Sequence, residues 1–164
     1  MTTEAKIEQA TIDWLTDLGY SHIHGTTFTF PENEVVDKAT LLAFIQQQHP
    51  RLPAELYPLI VAEFVNNKGA DLLYRNRDFH LKLTKGLDYE YQDANGNEKA
   101  VHVYPIDFQN PENNTFWVVN QLSIKGKNKR RPDVIVYVNG LPLIVFELKN
   151  WFDENTNLQE AFNQ

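Results

Sequence analysis

The stretch Arg131-Pro132-Asp133-Val134-Ile135-Val136-Tyr137-Val138-Asn139-Gly140-Leu141-Pro142-Leu143-Ile144-Val145-Phe146-Glu147-Leu148-Lys149 decides the fold. It reads as two apolar strands folded back on each other. Val and Ile fill both arms, and Asn139-Gly140 is the strongest short-range hairpin signal. Both arms are apolar on both faces, the pattern of strands inside a covered sheet. Asp133 stands at one end of this ribbon, and Glu147 and Lys149 at the other. Charges so close to a core are rare unless something pairs them. Glu147 and Lys149 are two residues apart and share a face of an extended chain. Folding the arms together brings Asp133 close to Glu147.

Register decides whether that closeness is useful. A strict two-residue turn at Asn139-Gly140 pairs Val138 with Leu141 and Asp133 with Phe146, which turns Glu147 away from Asp133. A three-residue loop, Asn139 to Leu141, sets Asp133 directly opposite Glu147. The expectation is that loop or a bulge, with Gly140 at positive φ. Pro142 has no N–H for a ladder, which also argues for a turn wider than two residues.

Two carboxylates and an ammonium on one patch suit metal-assisted hydrolysis. Hard oxygen ligands bind Mg²⁺, which keeps most of its waters. Such a metal lowers the pKa of a bound water and screens the charge of a phosphodiester. A nearby lysine orients the attacking water or stabilises developing charge. The plain alternative is an ordinary ion pair of Lys149 with Glu147 or Asp133, and an isolated Glu-x-Lys would be read that way. The complete arrangement of Pro-Asp, apolar hairpin and Glu-Leu-Lys favours a metal site. Immediately before it, Lys125-Gly126-Lys127-Asn128-Lys129-Arg130-Arg131 places five cations in seven positions of an acidic chain. Lys125, Lys127, Lys129, Arg130 and Arg131 open onto the acidic pair, where a phosphate backbone would lie, so non-specific backbone contact is expected.

Pro132-Asp133, thirteen residues, then Glu147-Leu148-Lys149 resembles the PD-(D/E)xK nuclease signature. Further stretches narrow the resemblance: Tyr104-Pro105-Ile106-Asp107-Phe108, Asn110-Pro111-Glu112-Asn113-Asn114, Val119-Asn120-Gln121 and the whole Arg131–Asn150 run. Together they resemble the N-terminal nuclease domain of the restriction (R) subunit of type I restriction-modification enzymes, over most of the chain. The resemblance implies an α/β fold: a restriction-endonuclease-like mixed β-sheet centred on 115–149 and flanked by helices, with extra helices and a β-hairpin. It implies Mg²⁺-dependent hydrolysis of double-stranded DNA, with Mn²⁺ as a substitute. Asp133, Glu147 and the Leu148 carbonyl would hold the metal, and Lys149 would position or activate water. In many nucleases of this class an early-helix glutamate leans over the metal; Glu8 is carried over in that role, with Glu4 as its rival. Gln164 matches the glutamine of a Gln-x-x-x-Tyr motif on the helix after the hairpin, whose tyrosine would fall past the end of the sequence.

The implied partners are the methylation and specificity subunits of the complex, the latter reading the DNA site. ATP is assigned to a downstream motor, because this chain has no Gly-x-x-x-x-Gly-Lys-[Ser/Thr] loop. Residues 1–164 are expected to form one endonuclease domain, an N-terminal piece of a longer subunit. Two rivals are kept: a catalytically silent DNA-binding or subunit-docking module, and a stand-alone repair or junction nuclease.

Composition sets the outer limits. The chain has 164 residues, 42% hydrophobic and 23% charged, enough for one core. It has no cysteine, which excludes disulfides, thiolate catalysis and zinc–thiolate sites. No apolar run approaches the ~20 residues of a membrane span, and no signal peptide opens the chain, so a cytoplasmic location is expected. A net charge of −7 and a pI near 5.2 argue against a general nucleic-acid binder. DNA contact must come from local basic patches or partner subunits.

The rest of the chain reads in order. Residues 4–18 form an amphipathic helix with Ile7, Ala10, Trp14, Leu15 and Leu18 at helical spacing. Tyr20 to Phe30 is strand-like, with His22 and His24 at the surface. A short helix ends near His49-Pro50, and Pro53 could open the next, with Pro58 at an early position or a kink. Asp71 to Lys85 is helical, with Leu72, Leu73, Phe79 and Leu83 as its apolar face and Arg75, Arg77, His80, Lys82 and Lys85 as a solvated basic one. Residues 87–92 and 99–108 form a hairpin, and Asp107 stabilises a turn. Thr115–Ile124 is the expected first strand of the catalytic sheet; of its polar interruptions Asn120 and Gln121, one must face a partner, either the site or, as the plainer reading, structural hydrogen bonds. Thr156 caps a final helix running to Gln164.

Overall fold

The computed structural model describes residues 3–28, 30–31, 34–93, 95–126 and 128–149. In chain order its elements are α1 (Thr3–Asp17), β1 (Ser21–His24), α2 (Lys38–Gln48), α3 (Leu56–Val65), α4 (Leu72–Lys85), β2 (Leu87–Gln92), β3 (Glu98–Val103), β4 (Phe116–Asn120), β5 (Val134–Val138) and β6 (Leu141–Phe146). Short 3₁₀ turns cover Gly25–Thr27 and Pro111–Asn113. The described residues up to Val36 and from Thr115 form one compact unit, and Asp37–Asn114 form another. No helix among the described residues is long and apolar enough to cross a membrane.

The first unit is a mixed sheet in the order β1-β4-β5-β6, with β1 parallel to β4 and the other pairs antiparallel. Every residue of β5 is buried, which explains its lack of alternation: both of its faces are covered. Val118, Val134 and Val136 pack against Ile12 and Leu15 of α1, with Phe146 and Leu148 alongside. Val119, Leu122, Ile135 and Tyr137 form a second cluster, joined by Ile23, Phe28 and Trp117. Trp14 and Leu18, expected on the buried face of α1, are 58% and 60% exposed; Leu15, expected there, is buried, and Ile12 joins it.

Of the two expected routes, a three-residue loop or a bulge, the hairpin takes the bulge, with Gly140 at positive φ as expected. Asn139 (φ 50°) and Gly140 (φ 81°) form a two-residue turn of the type I′ class, closed by Val138 opposite Leu141. Asn139 is fully buried. Its N–H donates to the Thr115 carbonyl at 2.9 Å and its Oδ1 accepts from the Thr115 N–H at 2.8 Å, which ties the turn to the start of β4. The register is corrected further along by a bulge. Tyr137 faces Pro142 and Val136 faces Ile144, so Leu143 is the extra residue. Pro142 therefore sits beside a bulge in a strand that has no further neighbour among the described residues, where a missing N–H is tolerated. β6 is not covered on both faces as its composition suggests: Ile144 and Val145 are 50% and 57% exposed.

Two further expectations change in this unit. The first strand of the sheet is β1, not the 115–124 segment. That segment is a strand only over Phe116–Asn120, because Gln121 takes φ 56° and ends it.

In the second unit, Asp37 caps α2 by accepting from Ala39 and Thr40 N–H groups, and Asp71 caps α4 through Tyr74 N–H. Leu41, Ile45, Ile60 and Phe64 form the helical core. Pro58 occupies an early position of α3, as expected. Leu72 and Leu73 are 81% and 75% exposed, so the expected apolar face of α4 is not formed by them. Lys82 is the reverse case. Read as part of a solvated face, it is 6% exposed. Its ammonium donates to the Glu63 and Asn66 carbonyls at 2.8 Å each and pairs with Asp78 at 2.7 Å, satisfying the end of α3. β3 stops at Val103, short of the expected 108. Asp107 then holds a turn by accepting from Gln109 N–H, Asn110 N–H and Asn113 Nδ2.

His102 joins α4 to the β2–β3 hairpin. Its Nδ1 lies 2.6 Å from Asp88 Oδ1 and its Nε2 lies 2.7 Å from the Lys85 carbonyl. Both partners only accept, so both ring nitrogens carry protons. Gly86 (φ +70°) makes room: a Cβ there would stand 2.6 Å from His102 Nε2. The hydrogen bond to Asp88, chiefly, raises the His102 pKa above its ordinary value. A raised folded value means stability that is fully present below the ordinary histidine pKa and is lost as pH rises through the raised one. Urea midpoints between about pH 6 and pH 9 should fall with pH in the wild type, and His102→Gln should flatten that part of the slope.

Candidate metal centre

The last paired residues of the hairpin are Val134 and Phe146. One step further out stand Asp133 and Glu147. Continued one step, the bulged register sets them across from each other; the unbulged one would set Asp133 across from Phe146. The approach is direct: the Leu148 N–H donates to Asp133 Oδ2 at 2.6 Å. This bond fixes one carboxylate oxygen of Asp133 against the chain that carries Glu147 and Lys149.

The electrostatics follow from that placement. Glu147 is exposed by area, yet its pKa is raised, first by partial loss of solvation and then by the negative charge of Asp133. Lys149 and Arg130 pull it the other way without cancelling the rise. Two like charges are thus held together with an incomplete counter-charge, a situation a bound cation relieves. No three His, Asp or Glu side chains among the described residues converge into a metal-holding group. The donors on offer are the two carboxylates, main-chain oxygen and water. That set suits Mg²⁺, which keeps several waters and needs few protein ligands.

The basic run lies beside this pair. Ile124 and Arg130 exchange main-chain hydrogen bonds of 2.8 and 3.1 Å, which folds the intervening residues into a loop. Lys125, Lys129, Arg130 and Arg131 are exposed on it, and the effect of Arg130 on Glu147 puts the loop within electrostatic reach of the acids. Lys127 lies outside the described residues, as do Gln164 and the expected helix from Thr156.

Glu8, on α1, is half-buried, and its rival Glu4 is exposed. The Glu8 carboxylate accepts from Asn120 Nδ2 at 2.8 Å and from Gln121 Nε2 at 3.1 and 3.3 Å. Asn120 pairs with Val134, the neighbour of Asp133, so Glu8 is tied to the same end of the sheet. The partnership of Asn120 and Gln121 with Glu8, and the link from Asn120 to His22, went unread in the sequence. The available signal was a pair of polar residues closing an otherwise apolar strand. A cavity of about 500 Å³ lies elsewhere, within the 37–114 unit, lined by Phe44, His49, His102 and Tyr104 among others. It is lined by none of the candidate-centre residues Asp133, Glu147, Lys149 or Glu8.

Comparison with known proteins supplies the context. Residues 1–164 match the family described as type I restriction enzyme R protein N terminus. The chain is 37% identical to the type I restriction enzyme HindI endonuclease subunit of Haemophilus influenzae over 174 aligned residues, covering 100% of this chain and 16% of that protein. It is 32% identical to a Methanocaldococcus jannaschii relative named as the MjaIXP endonuclease subunit, covering 96% of this chain and 16% of that protein. Over 67 residues, 41% of this chain, it is 39% identical to the SauMSSORF170P endonuclease subunit of Staphylococcus aureus. The chain therefore spans about a sixth of the length of the first two relatives, the share being 16% in each.

Proposed function

We propose that this chain, which belongs to the family of type I restriction enzyme R protein N termini, is a Mg²⁺-dependent endonuclease module that hydrolyses phosphodiesters of double-stranded DNA. One observation carries the reading. The bulge-set register brings Asp133 opposite Glu147, with Leu148 N–H bonded to Asp133 at 2.6 Å. The matched family and the names of the relatives support it.

Asp133 and Glu147 would hold the metal, together with the Leu148 carbonyl. When bound, Mg²⁺ or Mn²⁺ lowers the pKa of a coordinated water and screens the phosphodiester charge. Lys149, whose charge already acts on Glu147, orients the attacking water and stabilises negative charge developing on the phosphate oxygens. Arg130 and Arg131, with the lysines of the preceding loop, hold the DNA backbone without reading its sequence. Glu8 supports the site from the same sheet end, and Gln164 is assigned a supporting role beyond the described residues. Sequence recognition and methylation belong to other subunits of the complex, and ATP belongs to a motor in the rest of the R protein.

Titrating Mg²⁺ or Mn²⁺ into the wild-type chain and into Asp133→Ala by calorimetry tests the reading. Binding heat is expected from the wild type and its loss from the variant. Identical absence of heat in both would favour a catalytically silent docking module.

A further inference from the structure

We infer that Gln121, Asn120 and His22 are positioning residues that clamp Glu8 at the catalytic end of the sheet. This rests on the nuclease reading above and adds residues to which that reading gives no role.

Gln121 takes φ 56°, one of two non-glycine residues at positive φ among those described; the other, Asn139, forms the hairpin turn. A glutamine has no local hydrogen bond that favours this region, so the surroundings must impose it. Gly25 shows how. A Cβ on Gly25 would stand 2.4 Å from the Leu122 Cα and 2.7 Å from the Asn120 carbonyl oxygen. The turn after β1 therefore packs main chain to main chain on the residues flanking Gln121.

The consequence concerns side-chain direction. Successive residues of a strand point to opposite faces. Asn120 and Gln121 nevertheless bond the same carboxylate. They can do so only because the chain breaks from the strand between them. The strained residue is thus what converts one amide contact into two.

Proton directions order the chain of contacts. The carboxylate of Glu8 accepts only, so Asn120 presents Nδ2 to it. Its Oδ1 then faces His22 Nε2 at 2.9 Å, and that nitrogen must donate. His22, in β1, fixes the orientation of Asn120, which with Gln121 fixes Glu8. Two neutral amides orient a carboxylate and leave its charge intact, where an arginine would neutralise it. That is the arrangement required of an acid that serves a cation-holding centre, and Asn120 is in register with Val134, next to Asp133.

Gln121→Gly separates this role from a structural one. Glycine adopts φ 56° without a Cβ penalty, so thermal unfolding of the 164-residue chain should occur at the wild-type temperature or above it. Cleavage by the full-length R protein in its restriction complex should nonetheless fall by tenfold or more. In the metal-free chain, the side-chain amide NMR resonance of Asn120 should shift, because its partner carboxylate has lost its second holder. Full cleavage by Gln121→Gly, or an unmoved Asn120 resonance, overturns the clamp. Asp133→Ala run in parallel keeps the two readings apart: if it is inactive while Gln121→Gly cleaves normally, the clamp alone fails. If Asp133→Ala cleaves like the wild type, the nuclease site itself is misplaced.

Discussion

Lys149→Met is expected to reduce DNA cleavage by about 10²- to 10³-fold while leaving Mg²⁺ binding in place. Methionine keeps an unbranched stem in a half-buried position and removes only the charge. That charge is one of two that pull the Glu147 pKa down; Arg130 is the other. Its loss leaves the two proposed ligands, Asp133 and Glu147, in place, so calorimetric Mg²⁺ binding should persist. The step that suffers is the one in which negative charge grows on the phosphate oxygens, where a fixed ammonium stabilises the transition state more than the ground state. Single-turnover cleavage by the restriction complex, compared with Mg²⁺ titration of the same variant, separates the two effects. If Lys149 only pairs with Glu147, the variant cleaves at the wild-type rate.

Glu147→Gln is expected to abolish cleavage and at the same time to stabilise the metal-free fold. The sign follows from the direction of the shift. Burial and the charge of Asp133 raise the Glu147 pKa. A carboxyl whose folded value lies above its unfolded one favours folding at low pH. That contribution is lost as pH rises from the ordinary glutamate value through the raised one, so at neutral pH the ionised group is a net penalty. Glutamine removes the penalty and with it one of the two proposed metal ligands. Metal affinity should drop by more than the roughly 10- to 100-fold that follows loss of an outer-sphere partner. In thermal unfolding without metal the variant should melt at or above the wild type. Added Mg²⁺ should raise the melting temperature of the wild type alone, since only a form that binds ligand is stabilised by it. A variant less stable than the wild type without metal would place Glu147 in an ordinary ion pair.

The hairpin shows how far the sequence carries such conclusions and where it stops. Asn139-Gly140 and two apolar arms were sufficient for the hairpin and the positive φ of Gly140, because both signals are local, but not for the length of the loop. The nearness of Asp133 and Glu147 was legible too, but not the route to it. A longer loop and a bulge give the same acidic pairing, and Leu143 is chemically like its neighbours, so nothing in its identity marks it as the extra residue. β5 and β6 are both apolar throughout, yet of the two only β5 lies between two strands among the described residues. Lys82 was read with the other cations of α4 because helical spacing does not reveal the α3 carbonyls it serves. Gln121 is the same kind of case. Its positive φ falls where Gly25, far away in sequence, packs on the main chain of its two neighbours, and no local rule anticipates it.

The central claim is that Asp133 and Glu147 share one divalent ion at the open end of the hairpin. Anomalous diffraction from crystals of the chain grown with Mn²⁺ tests it most directly. A single strong peak within coordinating distance of carboxylate oxygens from both residues is the predicted result. No peak between them at a Mn²⁺ concentration that supports cleavage, or a peak touching only one of the two, would contradict it.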